Sequence, residues 1–382
     1  MRLFGVWLEA ARLGAGSDAR APIGQLPQCV RRRTAIFGRG MSQCLVPACC
    51  WVGTGRPRSR PSAPMSSPAL TQSSSSLPAP DTGYSPALSA YTRILAALTF
   101  ILLGAGALTV AKGAGLSIPD WPLAFHRLVP PYVGNIRFEY THRVIAGVVS
   151  LMTVGLAVWL WVADRRRWMR WLGIAALLGV ILQAILGGLT VLDFQPPWLT
   201  AFHASLAQLF FLTTVALAIF TGRHWRTPAE PRDDASPGVF RLAVITTAVI
   251  LLQIIFGGAY RHDALPLWPH LAGAAAVTIT VLWTASVALR RHKDLAALRR
   301  PVRWLVAVLG LQLVLGLNIY LISRATLSLP QAPEASVVGA IAHLLGGAAL
   351  FATSLFVALR ARQHLRAPRA SGARTASRAV EA

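Results

Sequence analysis

The chain has 382 residues, with 37 Lys or Arg against 14 Asp or Glu and a formal net charge of +23. Hydrophobic residues make up 54% and charged residues 13%, where a soluble domain carries about 25% charged residues. With a mean hydropathy of +0.52, a soluble globular chain is excluded, and so is a disordered one, which needs low hydrophobicity. The composition predicts an all-α polytopic membrane protein whose first partner is the lipid bilayer. All the basic residues except Lys112 and Lys293 are arginines. Their crowding in particular loops follows the positive-inside rule. No soluble domain carries a basic patch, so no nucleic-acid partner is expected.

Residues 1–88 differ from the rest. The first 64 hold ten arginines and only two acids, Glu9 and Asp18. All four cysteines, Cys29, Cys44, Cys49 and Cys50, lie there without metal-site spacing. The Ser/Pro-rich stretch 66–86 reads as a linker. RRRTAIFG resembles a twin-arginine signal but no apolar run follows it, and the Arg-rich, acid-poor character also fits a transit peptide. The expectation is a dispensable extension, or translation starting at Met65.

Eight apolar runs follow, at about 91–110, 139–162, 170–190, 201–221, 240–259, 268–289, 303–321 and 337–360, each near the roughly 20 residues a span needs. The loops after the second, fourth and sixth runs, and the tail from Arg360, are rich in arginine. The alternate loops are poor in charge, so both termini are expected in the cytoplasm. The longest outer loop, about 111–138, contains Ser117-Ile118-Pro119-Asp120-Trp121-Pro122, which cannot form a regular helix.

Leu182-Gln183 through Gly187-Gly188 in the third run recurs as Leu311-Gln312 through Gly316 in the seventh, and Leu252-Gln253 through Gly257-Gly258 lies in the fifth. His142 precedes Gln183 by 41 positions and His270 precedes Gln312 by 42. The spacing predicts two duplicated four-helix bundles, related by an axis along the membrane normal. The expected divisions are a first half at 89–222, a second half at 223–362 and a basic tail at 363–382. The glycine pairs are expected to permit close helix packing.

Of nine histidines, His126, His262, His224, His292 and His364 fall outside or at the ends of the runs and read as solvated. His142, His203, His270 and His343 all lie early in the even-numbered runs, two per half. Ionisable residues inside a membrane are functional candidates. Two histidines on facing helices of a bundle suit axial ligation of a haem, whereas zinc would want three or four clustered ligands. Glu139 is expected to be the only carboxylate at or inside a span. Three residues before His142, it shares a helix face with it. It reads either as a proton acceptor or as the ion-pair partner of Arg143. The second half has no matching acid. Arg143, Arg261 and Arg324 lie at outer span ends, where they hold carboxylates or snorkel to headgroups.

GLSIPDWP in the outer loop, EYTHRVIAG at 139–147, LGGLTV at 186–191, PLWPHLAG and the late IAHLLGG resemble the haem A synthase family over about residues 91–360. The resemblance implies oxidation of the C8 methyl of haem O to a formyl group by successive hydroxylations, an oxidoreductase acting on CH or CH2 groups that serves haem-copper oxidase assembly. It implies His270 and His343 as ligands of a resident haem b cofactor. His142 and His203 would flank the substrate haem iron, with Arg143 on the substrate and Glu139 catalytic. Implied partners are haem O, the haem O synthase (protohaem farnesyltransferase), cytochrome oxidase assembly factors and, as an open alternative, further copies of itself. The expected location is a bacterial plasma membrane, the alternative being the mitochondrial inner membrane. The outer-loop cysteine pair of many members has no counterpart here. Two other readings compete: a di-haem cytochrome b-type electron carrier, and a haem-handling protein without a redox step.

Overall fold

In lipid, every backbone N–H and C=O must be satisfied within its own segment, so a long apolar run becomes a helix. The computed structural model describes residues 84–226, 233, 237–326 and 333–365. Among them, eight helices are long and apolar enough to cross a membrane. They are α1 (Pro86–Ala111), α2 (Ile136–Ala163), α3 (Arg167–Leu192), α4 (Pro197–Thr221), α5 (Val239–Arg261), α6 (Trp268–Arg291), α7 (Ala296–Ala325) and α8 (Glu334–His364), with a 3-10 turn at Arg223–Arg226. At 23 to 31 residues they measure about 35 to 46 Å, longer than the roughly 30 Å hydrocarbon core. The described residues belong to one compact unit; the other, Asp18–Asp81, lies outside them. The cysteines, the Arg-rich extension, most of the Ser/Pro linker and the tail beyond 365 also lie outside the described residues.

Every predicted run is found as a helix, and most of the helices overrun their apolar stretch. The α7 helix starts at Ala296, seven residues before the expected 303, because Arg299, Arg300 and Arg303 continue it beyond the apolar segment. Pro301 sits within its first two turns. The α8 helix starts at Glu334, so Glu139 is not the only carboxylate on a span. Glu334 is 79% exposed and pairs with Lys112, which leaves Glu139 as the buried one. The α1 start is capped by Ser85, whose hydroxyl accepts from Leu88 N–H at 3.2 Å, with Pro86 at the first helical position.

Helices α1 to α4 pack in a closed cycle, each on its neighbour and α4 back on α1. Helices α5 to α8 do the same, and α4 and α8 also bridge the two cycles through α5, α1 and each other. The α4 helix is central: 61% of its apolar window is buried, against 11% for α7. Its sequence carries more hydroxyl and amide groups than the lipid-facing helices, including Ser205, Gln208, Thr214 and Thr221, all buried. Such groups join helices by hydrogen bonds where apolar packing gains nothing over lipid. Thr221 Oγ1 meets Thr92 Oγ1 of α1 at 2.7 Å, and Thr246 of α5 meets Thr284 of α6 at 2.8 Å. Tyr91 OH donates to the Met152 carbonyl at 2.9 Å, across α1 and α2.

Candidate haem-binding and loop-anchored site

Each of the four expected histidines rests on a glycine of the preceding helix. A Cβ added at Gly106 of α1 would lie 3.0 Å from His142 Cε1; at Gly187 of α3, 3.3 Å from His203 Cε1. At Gly257 of α5 it would lie 2.8 Å from His270 Cε1, and at Gly316 of α7, 3.0 Å from His343 Cε1. Any other residue would push into an imidazole ring. The sequence reading took Gly187-Gly188 and Gly257-Gly258 as helix-packing devices. For Gly258 that holds, since it faces Ser205 and the Ala201 carbonyl of α4. Gly187 and Gly257 instead make room for histidine rings, and Gly188 takes the indole of Trp121 from the outer loop.

Four residues before three of these glycines stands a glutamine whose amide donates to the carbonyl of the facing histidine. Gln183 donates to His203 O at 3.1 Å, Gln253 to His270 O at 2.9 Å and Gln312 to His343 O at 3.0 Å. The fourth place is taken by Leu102, opposite His142. The α5–α6 and α7–α8 hairpins share a further feature. Three residues after each histidine, Gly273 and Gly346 leave the helix surface bare where the glutamine amide lies. In α2 and α4 these positions are Ile145 and Leu206. Gln312 Nε2 also sits 3.1 Å from His343 Nδ1.

The rings of His270 and His343 face each other with centroids 6.1 Å apart and planes at 81°. An imidazole nitrogen lies about 2 Å from a bound transition metal, so two rings this close are within reach of one metal. Nδ1 of His142, His203 and His270 is buried without a hydrogen-bond partner, a costly condition that ligation or a bound cofactor relieves. Among the described residues no three His, Cys, Asp or Glu side chains converge on a metal position. The donor set therefore fits paired axial ligands of a haem and not a three- or four-ligand zinc site.

Glu139 is 3% exposed and lies in the first turn of α2. Its Oε1 accepts from Arg143 Nη2 at 2.6 Å, one helical turn on, and its Oε2 from the Ile118 N–H at 2.9 Å. Arg143 Nη1 donates to the carbonyls of Asp120 at 2.7 Å and Leu123 at 2.9 Å, and Nη2 reaches the Ile118 carbonyl at 3.3 Å. All four Nη hydrogens are thus directed at the outer loop or at Glu139, and only Nε–H remains for another acceptor. The ion pair anchors a strap, 118–123, in which Ile118 is fully buried while Trp121 and Leu123 stay exposed. The Asp120 carboxylate accepts from the backbone N–H groups of Phe125 at 2.6 Å and His126 at 2.7 Å. The His126 N–H bond is the main reason its pKa lies below the ordinary value.

Residues 135–265 match the family model described as COX15-CtaA, cytochrome oxidase assembly protein. The chain is 30% identical over 167 residues to the haem A synthase of Alkalihalophilus pseudofirmus, a match covering 41% of this chain and 54% of that protein. It is 28% identical over 247 residues to that of Symbiobacterium thermophilum, 56% of this chain and 79% of the relative. It is 23% identical over 290 residues to that of Geobacillus kaustophilus, covering 69% and 88%. Over these stretches the chain is similar to haem A synthases. Relative to the first of these haem A synthases it spans about half the length.

The family-model match at 135–265 includes Glu139, His142, Arg143, Gln183, Gly187 and His203, and stops short of His270 and His343. The second pair therefore rests on the geometry above. Sequence reasoning missed the glycine cradles and the role of the glutamines, although their four-residue spacing was visible as a repeat. It also took five other histidines as solvated, and three are not. His292 keeps only 9% side-chain exposure, 3.4 Å from Asp233. His364 has a buried Nε2. His262, just beyond α5, is held down to about pKa 4 by burial and then by the neighbouring Arg261.

Proposed function

We propose that this chain is a haem A synthase of a bacterial plasma membrane, oxidising the C8 methyl of haem O to a formyl group for haem-copper oxidase assembly. The family matches support haem A synthesis in an oxidase-assembly setting. The single observation that carries the division of labour is the unequal treatment of four similar histidines. His270 and His343 each have a glycine cradle, a glutamine clamp and a bare helix surface for that clamp, and their rings face one another. That is the fixed geometry a resident cofactor wants. His142 has the cradle without the clamp, beside Glu139, the one buried glutamate among the described residues.

In this reading α1–α4 and α5–α8 are duplicated halves, both chain termini are cytoplasmic, and the histidines sit at the outer end. His270 and His343 hold haem b, which when bound supplies one-electron redox chemistry. His142 and His203 flank the iron of the substrate haem O. Two hydroxylations of the methyl carbon, together a four-electron oxidation that draws on an external oxidant, followed by loss of water give the formyl group. Glu139 accepts or returns a proton at the substrate carbon through Oε1 or Oε2, since an ionised carboxylate has about four lone-pair sites and two are used. Arg143 holds the 118–123 strap over the site and offers Nε–H to a substrate carboxylate. Trp121, seated on Gly188 next to the His203 cradle Gly187, is the part of the strap that covers the first half.

The test is haem extraction and chromatography of protein purified from cells supplied with haem O. Haem A or a hydroxylated haem O beside haem B supports the proposal. Haem B alone, with haem O abundant, overturns it in favour of an electron carrier. Exchange of haem O without chemical change overturns it in favour of a haem-handling protein.

A further inference from the structure

At the other end of the helices lies a cavity of about 910 Å³. Its walls come from the start of α1, the end of α4 with the following 3-10 turn, the start of α7 and the end of α8. Ala218 on its wall is 15 residues along α4 from His203, about 22 Å at 1.5 Å per residue. It is therefore separate from the histidine site.

Four arginines line it, each from a different element: Arg93 of α1, Arg223 of the 3-10 turn, Arg300 of α7 and Arg360 of α8. No described acidic side chain lines it. Arg93 Nε is turned back to the Ser89 carbonyl, and Arg360 Nη1 to Gln363 Oε1 at 3.1 Å. Arg360 Nε is buried and without a partner, its guanidinium stacked over Phe356 at 4.9 Å. Several guanidinium groups brought together without a carboxylate repel one another, and acceptor-only oxygens bearing negative charge are what their donors match.

The rest of the lining is mixed: Ala96, Val215, Ile219, Ala352, Trp225 and Trp304 are apolar or aromatic, and Tyr84, Ser89, His224, Thr353 and Gln363 add neutral polar groups. A free phosphate would fill a small part of such a volume, since a single water takes only about 30 Å³. The apolar walls would then stay bare. Tryptophans at the end of a span mark the headgroup level of a bilayer, and basic pockets between membrane helices suit anionic headgroups.

We propose that this cavity is a binding site for an anionic phospholipid. Its phosphate sits among Arg93, Arg223, Arg300 and Arg360, and an acyl chain runs along the apolar wall between α1 and α7. The bound lipid neutralises the arginine cluster and fills the gap that α4 and α8 floor.

The full chain, purified in a mild detergent, is titrated with phosphatidylglycerol, phosphatidylcholine or inorganic phosphate and read by native mass spectrometry. Phosphatidylglycerol is expected to bind and phosphatidylcholine to bind at least tenfold more weakly. Each arginine-to-glutamine change is expected to weaken phosphatidylglycerol binding about fivefold. Arg360→Gln and the combined Arg93→Gln/Arg300→Gln variant are compared with Arg300→Gln alone, an exposed position that does not threaten folding. Unchanged lipid binding in all three overturns the site. Displacement of the lipid by millimolar phosphate at equal occupancy overturns the lipid assignment. Equal binding of phosphatidylcholine overturns the role of charge.

Discussion

Gly257→Ala is the sharpest test of the histidine cradles. The added methyl would stand 2.8 Å from His270 Cε1 and 3.0 Å from its Nδ1, where carbon atoms ordinarily approach to about 3.5–4.0 Å. Replacing glycine by alanine within a helix gains about 0.8–1 kcal/mol in propensity. Overpacking a fitted site costs about 1–3 kcal/mol, so the net change should fall between neutrality and a loss of about 2 kcal/mol. Gly310→Ala, in α7 with nothing within 4 Å of the new Cβ, serves as the control and should keep the full propensity gain of about 1 kcal/mol. The purified variants would be compared by thermal melting and by haem content from the pyridine haemochrome spectrum. Gly257→Ala should melt below Gly310→Ala and lose low-spin haem, because the ring it displaces faces His343. Equal melting and equal low-spin haem in the two variants would refute the cradle argument.

His270→Ala and His343→Ala should each abolish the resident low-spin spectrum, whereas Gln312→Leu should keep it at reduced occupancy, since it removes about one hydrogen bond's worth of stability, roughly 1 kcal/mol. An unaltered spectrum in both histidine variants would sink the ligand assignment. Glu139→Gln should retain haem B and yield no haem A on extraction; production at the parental rate would remove the glutamate from the chemistry. Arg143→Ala leaves the Glu139 carboxylate buried without its ion-pair partner, a loss of about 3–5 kcal/mol, and frees the strap to proteases. The double variant Arg143→Ala/Glu139→Gln should recover part of that loss, and no recovery in the melting temperature would count against the pair. His262 is held at about pKa 4, below its ordinary value of about 6.5. Being depressed, it contributes stability that is complete above pH 6.5 and is lost as pH falls toward 4. His262→Gln should flatten the fall in melting temperature between pH 7 and pH 5, and a slope identical to the parent's would show that the burial is not maintained in solution.

The spans were readable because length and hydropathy decide them almost alone: a run of about 20 apolar residues has one solution in lipid. The rank order of burial was harder to read. All eight helices pass the same hydropathy test, yet α4 is central and α7 is peripheral. The usable signal was the set of hydroxyl and amide groups on α4, since polar side chains in a span turn toward other helices. The ion pair of Glu139 with Arg143 was legible from their i,i+4 spacing, while its anchoring of the loop through Ile118, Asp120 and Leu123 was not. Three of those four contacts are to backbone carbonyls, which leave no mark on residue identity. His292 and His262 were misjudged for a related reason, because a loop position predicts exposure only on average.

The glycine, glutamine and histidine positions suggest how sequence and structure divide the information. Gln183-x-x-x-Gly187, Gln253-x-x-x-Gly257 and Gln312-x-x-x-Gly316 were visible as repeats, but their meaning depends on the register between two helices. One antiparallel hairpin places the glycine under the imidazole and the amide on the histidine carbonyl, and that arrangement recurs in α3–α4, α5–α6 and α7–α8. The smallest recurring unit in these contacts is therefore a hairpin, finer than the four-helix unit that the spacing of the histidines first indicated. The α1–α2 hairpin keeps the glycine and the histidine and replaces the amide by Leu102. It is also the hairpin that carries Glu139, Arg143 and the strap. His203, on the same proposed substrate side, keeps the Gln183 clamp, so any freedom to admit and release a substrate rests with the unclamped His142. A histidine that holds a permanent cofactor gains from both, as His270 and His343 have them.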